Sequence, residues 1–279
     1  MAQIPREETF QGKGGVRIFF RSWRPAIPVR AVVVICHGVN SHGGQYSWVA
    51  QQFSAKGMAA YAIDLRGRGK SEGERFYVDA VDDYADDVKR LIAIAKEREP
   101  GLPVFLLGHS AGGVVSCVYA LDNQAQLAGL ICESFAFKVP APDFALAAIK
   151  ALSHVAPRLP VLKLKNEDFS RNPQAVLALN SDPLTAGEVQ PAQTVAALVR
   201  ADERLEKEFP RMTLPVLIMH GTVDKATLAR GSQFFFDTVG SADKTLKLYE
   251  GHFHDLFNDF GREGVMADTQ RWIERQLAG

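Results

Sequence analysis

The sequence is short of several things that would each decide its class. It has only three cysteines in 279 residues, Cys36, Cys117 and Cys132. They are too few and too scattered for a disulfide framework, and each sits in an apolar run that marks a buried thiol. It has no excess charge of either sign: 32 basic residues face 32 acidic ones. That balance removes the electrostatic signature of a nucleic-acid binder. No apolar run approaches the ~20 residues of a membrane span. The one that matters, AVVVIC at 31–36, is six residues long. The opening stretch MAQIPREETF carries charge early and has no apolar core, so it does not read as a signal peptide. These ten residues are expected to be partly disordered. There is no internal repeat and no low-complexity segment. No His/Cys/Asp/Glu set has metal-ligand spacing, and no glycine-rich phosphate loop follows a strand. Neither a metal nor an organic cofactor is therefore expected. The remaining class is a soluble protein, expected in the cytoplasm, whose 47% hydrophobic residues suffice for a sizeable core.

What is present is an alternation of short apolar runs with longer helical patterns, the mark of a parallel sheet with crossover helices. Residues 16–23, 31–36, 58–63, 103–108, 127–132, 215–219 and 245–249 read as strands. Residues 48–56, 78–99, 111–121, 233–239 and 263–277 read as helices. The 78–99 helix has acids early and bases late, which suits the helix dipole. Between about 134 and 212 no strand is evident, and eight prolines punctuate short helical patterns such as 144–155. This stretch is expected to be a helical lid inserted into a core made of 1–133 and 213–279.

The segment Gly108-His109-Ser110-Ala111-Gly112 closes the strand PVFLLG and leads directly into a helix. It is a G-x-S-x-G elbow in the context that gives the motif meaning. The glycines leave room for a sharp strand-to-helix turn that lifts Ser110 clear of the sheet. The helix N-terminus behind it offers free N–H groups to a developing negative charge. A serine hydroxyl needs a base, and in this arrangement the chain order is serine, acid, histidine. His252 and His254 both qualify as the base, and spacing does not choose between them. Asp224, just after strand PVLIM, is the favoured acid, with Glu133 at the end of the strand after the elbow helix as its rival. The turn Cys36-His37-Gly38-Val39-Asn40 is expected to supply one oxyanion N–H from Val39, the other coming from Ala111.

Taken together these segments resemble the monoacylglycerol lipase (lysophospholipase-like) family of the α/β-hydrolase fold, nearly end to end. The resemblance is carried by His37-Gly38 with His42 and Tyr46, by Asp64-Leu65-Arg66-Gly67-Arg68-Gly69-Lys70-Ser71, and by the elbow. It continues through Asn180-Ser181-Asp182-Pro183-Leu184, His220–Asp224 and the segment 249–259. It implies a mostly parallel eight-stranded sheet with a helical lid, His254 as the base, and a small-molecule carboxylic ester with an apolar acyl chain as substrate. It further implies transient contact of the lid with lipid surfaces. An esterase for small or aromatic esters, or a non-catalytic ligand receptor on the same fold, are the alternatives. The sequence departs from the family at Ser41 and Gln45, where an ion-paired Glu and Arg are usual. Ala111, Leu65, Arg68 and Glu133 depart as well. The pocket is expected to involve His37, Asn40, His109, Phe135, Phe137, Phe144, Leu146 and Ile149.

Overall fold

The computed structural model describes residues 3–278. The chain opens with β1 (Arg6–Gln11), β2 (Arg17–Trp23), β3 (Ala31–Cys36), α1 (Ser47–Ser54) and β4 (Met58–Ile63). It continues through α2 (Val81–Arg98), β5 (Val104–His109), α3 (Ala111–Asn123) and β6 (Gly129–Glu133). Residues 134–212 then hold α4 (Asp143–Leu152), β7 (Pro160–Leu162), α5 (Pro173–Asn180), β8 (Gln190–Pro191) and α6 (Ala192–Glu208). The chain returns to the main sheet with β9 (Val216–Gly221), α7 (Ala229–Thr238), β10 (Lys244–Tyr249) and α8 (Arg262–Ala278).

The main sheet has eight strands in the order β1-β2-β4-β3-β5-β6-β9-β10. Only β2 runs against the others. Strands β3, β4 and β5 are buried throughout, because helices cover both faces and a two-sided strand reads as one continuous apolar run. Period-two alternation divides their side chains. Val32, Val34 and Leu106 join the α2–α3 side, while Val33, Ile35, Phe105 and Leu107 join the side that holds Trp272 of α8. The chain leaves β3 for β4 on one side and reaches β5 on the other. The carboxyl ends of β3 and β5 therefore flank the crevice where such sheets bind ligands.

Three local expectations need correction. Met1 and Ala2 lie outside the described residues, but Arg6–Gln11 forms an ordered edge strand. Its stability comes from backbone pairing with β2 and from ion pairs Glu7–Lys70 and Glu8–Arg98, which leave little apolar signature. Residues 134–212 contain two short strands, β7 and β8, paired antiparallel with each other. They also contain a 17-residue helix, α6, longer than the short patterns expected there. No described helix is long and apolar enough to cross a membrane.

Candidate active site

Strand β5 ends at His109 and helix α3 begins at Ala111, so Ser110 alone makes the turn. Its backbone takes φ 54° and ψ −123°, a conformation a serine holds only when its surroundings impose it. Those surroundings are close-packed backbone. A Cβ on Gly108 would lie 2.5 Å from the Gly112 carbonyl oxygen, and one on Gly112 would lie 2.2 Å from that of Cys36. The Ser110 N–H donates to the Glu133 carbonyl at 2.9 Å, and the Gly113 N–H donates to the Ser110 carbonyl at 2.9 Å. The strained residue is held from both sides.

Asp224 follows β9 and His254 follows β10. His254 Nδ1 donates to Asp224 Oδ2 at 2.8 Å. The same oxygen receives the Thr227 hydroxyl at 2.8 Å and His220 Nε2 at 3.1 Å. Oδ1 accepts the N–H groups of Ala226 and Thr227 at 2.8 and 2.9 Å. A carboxylate can only accept, so His254 carries its proton on Nδ1 and keeps a lone pair on Nε2. That Nε2 is buried without a hydrogen-bond partner. Burial pushes the Asp224 carboxyl up, but the charge and hydrogen bond of His254 and the hydrogen bond of His220 outweigh it. They hold Asp224 well below the usual carboxylate range. His252 turns back on its own loop, with Nδ1 3.1 Å from the Glu250 carbonyl.

Glu133 meets different partners. Its Oε1 accepts the Leu256 N–H at 2.7 Å, and its Oε2 lies 3.6 Å from His109 Nε2. The other ring nitrogen of His109 pairs with the Tyr46 hydroxyl at 2.7 Å. Asp255, whose Oδ2 accepts from Asn258 Nδ2 at 2.9 Å, completes a buried cluster with atoms within 4.8 Å of one another. It is the one such set among the described residues that could hold a cation, and its members come from the ends of β5 and β6 and from the loop after β10. Burial, then the charge of Asp255, pushes Glu133 well up, and burial pushes His109 well down. Burial raises Asp255 too, so it disfavours the charged form of every member of the cluster.

The His37-Gly38 turn packs directly on the elbow: a Cβ on Gly38 would stand 2.8 Å from Ser110 Cβ and 3.3 Å from the Ala111 nitrogen. Among the described residues, no acceptor takes the N–H of Val39 or of Ala111. Val39, Ser110 and Ala111 all line one cavity of about 560 Å³, whose walls include Phe137, Leu146, Ile149, Phe169 and Leu198 along with charged side chains such as Lys150 and Arg230.

Of the residues expected at the pocket, Phe137, Leu146 and Ile149 line this cavity. The others do not. Phe144 is 78% exposed, because it lies about 200° around α4 from Leu146 at 100° per residue. Phe135 is fully buried behind the wall, its ring stacked on Phe137 with centroids 5.6 Å apart. His37 Nε2 accepts the Leu65 N–H at 3.0 Å, a backbone-tethering role. His109 stands behind His254, ring centroids 4.9 Å apart. Asn40 lines a second, polar cavity of about 520 Å³ with Asn166, Asn180 and Glu188. Gln45 and His42, at 3.0 and 2.8 Å, both hold Asp182 Oδ2. A neutral amide thus helps tie the segment after the His37-Gly38 turn to residues 134–212.

Sequence reasoning missed His220, Thr227 and Phe169. A signal existed for His220, four residues before Asp224 at the end of a strand. For Phe169, whose ring lies 5.0 Å from that of His254, there was none.

A serine raised on such a turn at the switch point of a parallel sheet is the mark of the serine hydrolases of the α/β-hydrolase fold. Residues 27–260 match the Hydrolase_4 family, described as serine aminopeptidase, S33, and the chain belongs to that family. It is 34% identical to the monoacylglycerol lipase of Mycolicibacterium smegmatis over 97% of this chain and 98% of that one. It is 31% identical to the monoglyceride lipase of Rattus norvegicus, over 95% and 89%. The crystal structure of a monoacylglycerol lipase from Paleococcus ferrophilus superposes with a TM-score of 0.84 at 30% identity, covering 93% of this chain and 99% of that one.

Proposed function

We propose that Ser110, His254 and Asp224 hydrolyse carboxylic esters with an apolar acyl chain, monoacylglycerols first among them. Ser110 Oγ attacks the ester carbonyl carbon while His254 Nε2 takes the hydroxyl proton. Asp224 holds the ring in the tautomer that permits this and steadies the imidazolium. The carbonyl oxygen becomes an oxyanion held by the N–H groups of Val39 and Ala111. The C–O bond to the alcohol then breaks, and His254 returns the proton to the leaving oxygen. Water, deprotonated by the same nitrogen, attacks the acyl-enzyme and releases the acid.

The observation that carries this reading is the cavity: Ser110, Val39 and Ala111 line it together with Phe137, Leu146, Ile149, Phe169 and Leu198, while charged side chains such as Lys150, Glu206 and Arg230 also belong to its lining. An acyl chain gains roughly 0.8 kcal/mol for each methylene it buries in such a site. Residues 134–212 act in this reading as a lid, since α4 and α6 supply Leu146, Ile149 and Leu198 to the wall. Their outward side chains Phe144, Val155, Leu159 and Leu177 are exposed and suit a lipid surface.

The test is initial-rate hydrolysis of p-nitrophenyl esters from acetyl to palmitoyl, with a monoacylglycerol and an aminoacyl anilide alongside, for wild type and Ser110→Ala. Activity abolished in the variant and greatest at medium or long chains is expected. A maximum at acetyl would move the function to small esters, and preferred cleavage of the anilide would move it to peptides.

A further inference from the structure

Residues 37–46, the loop that carries Val39, contain no arginine, lysine, aspartate or glutamate. A charged anchor reaches this loop from residues 134–212. The Glu188 carboxylate accepts the backbone N–H of Asn40 through Oε1 at 2.8 Å. The same oxygen receives Gln190 Nε2 at 2.8 Å and pairs with the Arg68 guanidinium. Arg68 Nη2 donates in turn to Gln190 Oε1 at 2.7 Å, and its Nε donates to the Tyr84 hydroxyl at 3.3 Å. The side chains of Glu188 and Arg68 are both buried. A buried ion pair is often no more stabilising than apolar residues of the same volume, so the use of this one lies in what it holds.

It holds the far end of Val39. Gly38 packs on the elbow, its Cβ position 2.8 Å from Ser110 Cβ, and so fixes the near end. Asn40 takes φ 53°, a left-handed conformation that a residue other than glycine seldom keeps without support. With the peptides on both sides fixed, the Val39 N–H is held in one direction. Without an acceptor for the Asn40 N–H, the Val39–Asn40 peptide is free to rotate and carry the Val39 N–H out of line. Oxyanion donors act because they are aimed before the charge forms. Resting on the esterase reading above, we propose that Glu188 is a positioning residue for the reaction. Its carboxylate, seated by Arg68, aims the Val39 N–H, so residues 134–212 complete the oxyanion site.

The test measures kcat and KM on p-nitrophenyl esters for wild type and three variants, each checked for folding by its urea midpoint. Arg68→Leu/Glu188→Gln removes both charges and keeps an acceptor of the same reach. Arg68→Leu/Glu188→Leu removes both charges and the acceptor. Glu188→Asp keeps the charge but draws the acceptor back by one methylene. Acylation and deacylation both pass through the oxyanion, so a misaimed donor lowers kcat and leaves KM nearly unchanged. Arg68→Leu/Glu188→Leu is expected to lose about 100-fold in kcat, and Glu188→Asp about tenfold. Arg68→Leu/Glu188→Gln should stay within about threefold of wild type. If Arg68→Leu/Glu188→Leu does not fold, the other two variants decide. An ion pair alone ranks Glu188→Asp the faster, whereas an acceptor for Asn40 ranks it the slower. Equal kcat in the two double variants overturns the inference while leaving the esterase reading intact. So does wild-type kcat in Glu188→Asp, or a loss that falls on KM alone. If wild type hydrolyses none of the esters, the underlying reading fails and this one falls with it.

Discussion

Glu133 accepts the backbone N–H of Leu256 through Oε1 at 2.7 Å, while its own carbonyl accepts the Ser110 N–H at 2.9 Å. One residue thus ties the Ser110 turn to the loop that carries His254, two positions before Leu256. Small misplacements of reacting groups cost about a hundredfold in rate, so this tie is expected to act on turnover more than on binding. Glu133→Ala should lower kcat by roughly 10- to 100-fold with little change in KM. Glu133→Gln, whose amide oxygen still accepts from Leu256, should recover most of it. Equal losses in the two variants would show that the tie does not govern the geometry.

The same residue gives a pH dependence with a definite sign. Its folded pKa is raised above the ordinary 4.5 by burial and by Asp255, so the folded protein keeps a proton that the unfolded chain releases. The stability Glu133 contributes is therefore complete below about 4.5 and is lost as pH rises toward its folded value. Glu133→Gln cannot ionise and lacks this slope. Urea midpoints at pH 5 and pH 8 should show wild type losing ground to the variant at the higher pH, and parallel midpoints would contradict the buried neutral carboxyl.

Asp224 is expected to fix the tautomer of His254. In the Asp224→Asn variant the new amide can present its N–H to Nδ1 and move the ring proton to Nε2, the nitrogen that must be free. This substitution should reduce kcat by about 10⁴-fold at neutral pH with the fold retained. A loss below about tenfold would take Asp224 out of this role and return attention to Glu133.

Much of this was legible in the sequence, for physical reasons that also mark its limits. AVVVIC and PVFLLG read as buried parallel strands because covered faces leave no polar alternation. The elbow was readable because its glycines answer a steric demand: a Cβ on Gly112 would meet the Cys36 and His37 carbonyls at 2.2 and 2.4 Å. The edge strand REETFQ was not readable, since ion pairs and backbone bonds hold it rather than burial. The placement of Phe144 was not either, because a ten-residue helix rich in Ala and Leu does not declare which stripe faces inward. Glu133 owes its importance to burial among distant segments, which no local pattern records.

The steric demand itself is testable. Gly112→Ala forces a methyl against carbonyl oxygens that cannot swing aside, and should cost about 1–3 kcal/mol in unfolding free energy, with loss of activity. Gly264, in α8, has nothing within 4 Å of its Cβ position, and Gly264→Ala should stabilise by about 0.4–1 kcal/mol. Matching urea midpoints for the two variants would dismiss the argument that crowding, rather than helical propensity, fixes glycine at the elbow.

The outward face of α4 separates chemistry from access to substrate. Phe144 does not line the cavity that holds Ser110, yet a phenylalanine 78% exposed loses the benefit of burial unless something apolar covers it. Val155 and Leu159 are exposed further along the same segment, and Leu177 is exposed on α5. If these side chains rest on lipid, Phe144→Ser should leave kcat/KM on a soluble short-chain p-nitrophenyl ester within about twofold, since a surface substitution here stays within ~0.5 kcal/mol. The same variant should hydrolyse a monoacylglycerol dispersed in vesicles several-fold more slowly, because the ~1.5–3 kcal/mol available from burying a phenylalanine is lost at the surface. Cosedimentation with those vesicles should fall in parallel. A variant that is slower on the soluble ester as well would place Phe144 in lid packing. One that is unchanged on vesicles would show that substrate reaches Ser110 from solution rather than from a lipid surface.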